Sequence, residues 1–187
     1  MWLRLDVDHA SSSKFWNVIR FTTGMKIPNY LDHVKETLRF LEQYNVPQIW
    51  FFRRWTCPDS FPEAFGAHIT RPEDAWKDIN TVQKKLGDFK FFTRHGYARL
   101  KSGRLWTPHE IEFVEQEYGL KDLSGLPHLT ITRNRLEDLK PSEIDHILFH
   151  PCHIYREKEQ LTSFLKAFNG KWGIRGMGRL LLCKSLL

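Results

Sequence analysis

The sequence predicts an α/β protein whose mostly parallel sheet is covered by helices on its outside, and three observations carry that reading. Short apolar runs with the character of buried strands alternate with segments whose apolar residues recur every three or four positions. The helix-like segments carry their own start and stop residues. Charged and imidazole side chains gather where the strands end, which is where α/β sheets and barrels keep their chemistry.

The opening strand, Trp2 to His9, runs apolar and then acidic. Side chains at i and i+2 share a strand face, so Asp6 and Asp8 project together. Carboxylates that close repel unless a cation or a shared proton relieves them, which makes the pair a candidate metal and acid/base site. The other use for two such acids is to cap the turn after the strand. Ser11 to Met25, with Phe15, Trp16 and Phe21, reads as a long irregular loop. Asn29 is expected to cap a helix carrying Tyr30, Leu31, Val34, Leu38, Leu41 and Tyr44, stopped by Asn45 and Pro47. Gln48 to Phe52 follows as a buried strand ending in Arg53 and Arg54, completing a βαβ unit and hence a parallel pair.

Ala64 to Ile69 is a small-residue strand ending near His68. Thr70-Arg71-Pro72-Glu73 has the spacing of a capping box before a helix with Ala75, Trp76, Ile79, Val82 and Leu86, which Gly87 stops. Phe89 to Thr93 is the next strand and runs into Arg94-His95-Gly96-Tyr97. Thr107, Pro108 and Glu110 open a further helix through Ile111, Val114 and Tyr118 to Gly119. Two short strands are expected around Leu120 to Leu123 and His128 to Thr132, then a strand Asp145 to Phe149, and a last helix from about Arg156 to Phe168. That makes about six or seven strands in all. The tail through Leu180 to Cys183 fits a strand or an extension equally, and Gly173 to Gly178 reads as a turn rather than a phosphate loop, because no confident strand precedes it.

A chain of 187 residues can bury one sizeable core, so a single domain over 1–187 is expected. No apolar run reaches transmembrane length and the N-terminus lacks a secretory pattern, so the expectation is a cytoplasmic protein. Cys57, Cys152 and Cys183 lie far apart, against a disulfide framework or a thiolate zinc site. The net charge of +6 favours acidic partners such as phosphorylated, nucleotide-linked or lipid-linked molecules. Nucleic acid is not expected, since the basic residues form no stripe.

Asp6, Asp8, Arg53, Arg54, His68, Arg94, His95 and His150 all fall at strand ends, and together they resemble the NodB-type polysaccharide deacetylases of the carbohydrate esterase family 4 superfamily. The resemblance spans roughly Leu3 to Phe168 and rests on the order of several short motifs. It implies an irregular (β/α)7-type barrel. Asp6-Val7-Asp8 is similar to the motif whose first Asp is the catalytic base and whose second binds a divalent metal. Arg94-His95-Gly96-Tyr97 is similar to the motif whose Arg orients the base and whose backbone amide, here near Tyr97, helps bind the oxyanion. Leu148-Phe149-His150-Pro151 is similar to the motif whose His is the general acid.

The second metal motif departs from the pattern: Gly66-Ala67-His68 is in place, but Pro72 stands where a second histidine is expected. His95, His9 and His153 are the candidates to replace it, and His95 ranks first because its strand should follow that of His68. No clear fourth motif is present. The chemistry so implied is hydrolysis of an acetamide on an N-acetylated sugar or polysaccharide precursor, nucleotide-linked or lipid-linked. Asp8, His68 and His95 would hold the metal, zinc first; Asp6 would be the base, kept ionised by Arg94, and His150 the acid. The alternative is a non-catalytic carbohydrate-binding or regulatory relative that has lost the complete metal site.

Overall fold

The computed structural model describes residues 1–95, 106–131 and 143–167. Seven strands alternate with five helices: β1 (Trp2–Val7), α1 (Lys14–Thr23), α2 (Asp32–Glu42), β2 (Gln48–Phe52), β3 (Phe65–Ile69), α3 (Ala75–Leu86), β4 (Phe91–Arg94), α4 (Pro108–Tyr118), β5 (Lys121–Asp122), β6 (His128–Thr130), β7 (His146–Phe149) and α5 (Ile154–Ala167). The sheet order is β5-β4-β3-β2-β1-β7-β6, and every neighbouring pair is parallel. Read around a circle, that order is the chain order with one break, between β5 and β6. The sheet is therefore a curled, incomplete barrel, the α/β architecture expected from the alternation of elements.

Strand alternation divides the side chains into two populations. Leu3, Leu5 and Val7 of β1 face outward with Trp50, Phe52, Ala67, Ile69, Phe92, Ile147 and Phe149. They pack against Val34 and Leu41 of α2, Ile79 and Val82 of α3, Val114 of α4, and Leu161 and Phe164 of α5. The inward population begins with a small apolar floor of Trp2, Ile49, Phe51 and Leu123. Above it, β1 places Arg4, Asp6 and Asp8 in succession on the same face. Gly66 belongs to this interior, because a Cβ there would collide with the Phe91 carbonyl oxygen and the Phe51 ring.

Three element boundaries differ from the sequence reading. Residues 14–23, expected to be irregular, form helix α1, which Gly24 ends in a left-handed turn at φ 68° with its N–H bonded to Arg20 O. None of its residues is buried, so it escaped a reading that looked for a core-facing stripe. Helix α2 begins after Leu31 rather than at Asn29. Both residues have positive φ, and Leu31 is pulled in by an N–H bond to Ala10 O at 2.9 Å. The capping box at Thr70 does not form; the Thr70 N–H bonds Asp78 Oδ2, and a 3-10 turn at Pro72–Asp74 leads into α3. The box at Thr107 and Glu110 is present with both reciprocal bonds. The Gly173 to Gly178 turn and the Leu180 to Cys183 tail lie outside the described residues.

His146, in register beside Trp2 on the inward face, stacks on the Trp2 ring at 4.5 Å and on His128 at 5.1 Å. Neither ring nitrogen has a hydrogen-bond partner. Burial, with the charge of Arg4 second, pushes its imidazole down to about 3. The unfolded chain protonates this group below about pH 6.5, whereas the folded chain keeps it neutral. Its contribution to stability is thus whole above that pH and drains away as pH falls toward 3. At pH 5 the loss amounts to on the order of 2 kcal/mol. Urea unfolding at pH 7 and pH 5 should show a smaller acid loss for His146→Phe than for the native chain, by about that amount; identical pH dependence would place the acid sensitivity elsewhere.

Candidate metal centre

The site is built upward from β1. Arg4 grips Asp6 with two bonds, Nε to Oδ1 at 3.0 Å and Nη2 to Oδ2 at 2.7 Å, and both side chains are buried. Burial alone would raise the Asp6 carboxyl, but the Arg4 guanidinium, with His68 and His150, brings it down to about 2. Asp6 is therefore an anion throughout the neutral range. The guanidinium also lies 6.0 Å from the centre of the Phe51 ring, so the pair rests on the apolar floor.

Two positions on, Asp8 meets the imidazoles. Its Oδ1 lies 3.0 Å from His68 Nε2 and 3.1 Å from His95 Nδ1, and those two nitrogens are 3.2 Å apart. Oδ2 lies 3.5 Å from His150 Nε2. Arg53, at the end of β2, approaches Oδ1 at 3.8 Å and donates to the Asp8 carbonyl at 3.4 Å. Burial works to raise the Asp8 carboxyl, yet the neighbouring His68 and His95 and the charge of Arg53 hold it well below the usual carboxylate range.

Each imidazole has a local reason for its position. His68 lies on β3 opposite Thr93 of β4, and its Nδ1 is 2.7 Å from Thr93 Oγ1. With a proton on Nδ1 donated to Thr93, Nε2 presents its lone pair toward Asp8, the arrangement a metal-ligating histidine needs. His95 extends the β4 ladder by one residue, its N–H bonding Ile69 O at 2.8 Å, and so shares the inward face with Phe91 and Thr93. Burial lowers the His95 imidazole and favours the neutral ring that can ligate, against the opposing pull of Asp8.

Asp8, His68 and His95 fit a divalent metal on their own geometry. Their three atoms are separated by 3.0, 3.1 and 3.2 Å, close to the ~3.3 Å edge of a tetrahedron with bonds of about 2.0–2.1 Å. Asp8 Oδ1 is buried without a hydrogen-bond partner although two imidazole nitrogens lie about 3 Å away. The atoms converge on a common point, where His68 Nε2 and His95 Nδ1 also lie within hydrogen-bond reach of each other. One carboxylate and two imidazoles form a donor set that leaves a fourth position for water or substrate.

Arg94 departs from its expected role. It lines the cavity, but its Nε pairs with Asp122 Oδ2 on β5 at 2.8 Å and its N–H donates to Ser124 Oγ, at the edge of the sheet away from β1. Arg4 holds Asp6 instead. Its signal was present in the sequence, since it stands two residues before Asp6 on the same strand face. Thr93, which orients His68, carries the same period-two signal from His95. Tyr97 lies outside the described residues. His9 lines the cavity, and His153 lines its rim while pairing with Glu157 at 3.3 Å. Cys152 also lines it, and burial, with Asp8 second, pushes its thiol up to about 12. The cavity measures about 330 Å³ and opens over Asp6, Asp8, His68, His95 and His150.

No family model and no curated protein sequence matches the chain. Among solved structures it is similar to a crystal structure described as a candidate polysaccharide deacetylase involved in O-antigen biosynthesis, from Bordetella bronchiseptica. Identity is 14%, coverage is 98% of this chain and 89% of that chain, and the TM-score is 0.49.

Removing Arg4 leaves a buried, unpaired carboxylate, so Arg4→Met should cost about 3–5 kcal/mol in chemical denaturation. The Arg4→Met/Asp6→Asn double variant should be more stable than Arg4→Met, because it removes the stranded charge. The Asp6 contribution is whole above pH 3.8 and is lost as pH falls toward 2, since the folded chain holds the proton less tightly than the unfolded one. Additive single and double variants would show that the two side chains are not coupled.

Proposed function

We propose that this chain is a metal-dependent hydrolase that removes the acetyl group from an N-acetylated sugar or polysaccharide precursor. The observation that carries the reading is the convergence of Asp8, His68 and His95 beside an ionised Asp6 and under His150. The order of the Asp6-Val7-Asp8 and Leu148-Phe149-His150-Pro151 motifs supports the choice of an amide-cleaving deacetylase.

In this reading Asp8, His68 and His95 hold the ion, with zinc the first choice for a carboxylate and two imidazoles. When bound, such an ion acidifies a water and polarises the acetamide carbonyl. Asp6 accepts the proton of that water. The bidentate Arg4 fork leaves its carboxylate further lone pairs, while holding it anionic and oriented. His150 delivers a proton to the departing nitrogen, from a ring placed by Asp8 Oδ2. Thr93 keeps His68 Nε2 turned toward the ion, and Arg53 offsets the charge of Asp8 from behind. A nucleotide-linked or lipid-linked sugar suits the net charge of +6.

Metal analysis of protein purified without chelator should find about one ion per native chain and little in Asp8→Ala, His68→Ala or His95→Ala; equal content in all four would remove the ligand assignment. Acetate release from free, nucleotide-linked and lipid-linked N-acetylated sugars should stop on chelation and return with zinc. Asp6→Asn and His150→Ala should each fall by ~10²- to 10⁴-fold while keeping their metal. Full activity in either variant would reassign the proton transfers, and metal-free, inactive native protein would favour a non-catalytic carbohydrate-binding role.

A further inference from the structure

Helix α1 presents an apolar face that none of the described residues covers. Phe15, Val18 and Phe21 are 65%, 61% and 61% exposed, and Met25, just beyond the helix, is 63% exposed. At about 3.6 residues per turn the three helical positions fall within roughly one third of the circumference. Lys14 and Lys26 bracket this face, Arg20 adds a third positive charge, and no acidic residue occurs between Ala10 and Leu31. Arg20 donates to the carbonyls of Gly24, Met25 and Trp55, and its guanidinium lies 5.0 Å over the Tyr30 ring. The exposed Asp59 carboxylate is bonded to Lys85 at 2.9 Å and is also lowered, more weakly, by the charges of Lys26 and Arg20.

We propose that α1 seats the protein on the surface of an anionic bilayer, with Phe15, Val18 and Phe21 entering the acyl boundary and Lys14 and Lys26 meeting lipid phosphates. Exposed aromatic and aliphatic side chains on one face, beside lysines and with no carboxylate in the segment itself, are the requirements of an interfacial helix. One ten-residue helix face is small for a stable protein interface, which needs about 800 Å² on each partner, whereas a bilayer accepts a single helix face. The placement is specific. Asn17 Nδ2 bonds Ser11 O at 2.6 Å and Asn17 Oδ1 accepts from Ser11 N at 2.8 Å, just beyond β1. Phe21 packs edge-on to Trp55 at 5.1 Å, just beyond β2. The anchor therefore sits at the end of the barrel that carries Asp8. If the proposed deacetylase reading holds, a docked chain would meet lipid-linked sugars at that end, but the docking itself does not depend on it.

The full chain is tested by flotation with vesicles of phosphatidylcholine alone and of phosphatidylcholine in which one lipid in three is phosphatidylglycerol. The native chain should partition at least tenfold more strongly onto the anionic vesicles, and less as salt rises. Lys14→Gln/Lys26→Gln should weaken partitioning by roughly fivefold per lysine. Phe15→Ser/Val18→Ser should weaken it at least tenfold with an unchanged circular dichroism spectrum, since neither side chain is buried. No binding, equal binding to both vesicles, or native binding by the variants would overturn the proposal. So would concentration-dependent self-association that Phe15→Ser/Val18→Ser abolishes in a chain that ignores vesicles, which would assign the face to a second copy. Acetate release from a soluble sugar, measured without vesicles, tests the chemistry separately.

Discussion

A guanidinium and two carboxylates stacked along one face of β1, at the interior of the sheet, would be costly if left apart, at several kcal/mol for each unpaired ion. The two-bond Arg4–Asp6 contact is what makes that arrangement tenable. It closes the lower charge pair over the apolar floor of Trp2, Ile49, Phe51 and Leu123. Asp8 is then the next carboxylate above a neutralised layer, free to turn toward His68 and His95. Without the pair, Asp6 and Asp8 would repel each other in a poorly solvated interior, and neither would have a fixed direction.

The remaining parts follow from strand parity. β1, β2, β3, β4 and β7 run parallel, so their C-terminal ends open on one side, and inward-facing positions there bring Asp8, Arg53, His68, His95 and His150 together. The outward positions on the same strands are mostly apolar and belong to the helices. Each strand thus serves the core with one face and the site with the other. The Thr93 hydroxyl links the two imidazole strands by fixing the His68 ring across the β3–β4 register.

Much of this was readable in the sequence because strands repeat every two residues and parallel sheets gather their ends. The strands, the helices α2 to α5 and the positions of Asp6, Asp8, His68, His95 and His150 at one end of the sheet all follow from those two facts. The Arg4–Asp6 pair is legible only from strand parity, because Arg4 is a charge in mid-strand and the chemistry of such sheets is expected at strand ends. Arg94 was misplaced for the complementary reason: it lies at a strand end, but Asp122 on the neighbouring edge strand claims it. Helix α1 was missed because its exposed apolar stripe gives the same periodic signal as a buried one only when a loop reading is set aside. The Thr70 box failed because Asp78 offers that amide a buried carboxylate, a tertiary contact that local spacing does not reveal.

The order of strands along the chain also has a consequence for biogenesis. Asp8, His68 and His95 come from β1, β3 and the end of β4, which form one continuous run of neighbours with β2 between them. His150 follows β7, which pairs with the other edge of β1 and comes later in the sequence. As the polypeptide leaves the ribosome, β1 to β4 with Asp8, His68 and His95 are therefore synthesised well before the strand that brings His150. The nascent chain thus carries all three candidate metal-binding residues before it carries His150. Pairing of β7 with β1 then both extends the sheet on that flank and brings His150 beside Asp8, so that one late-made strand serves the fold and the site together.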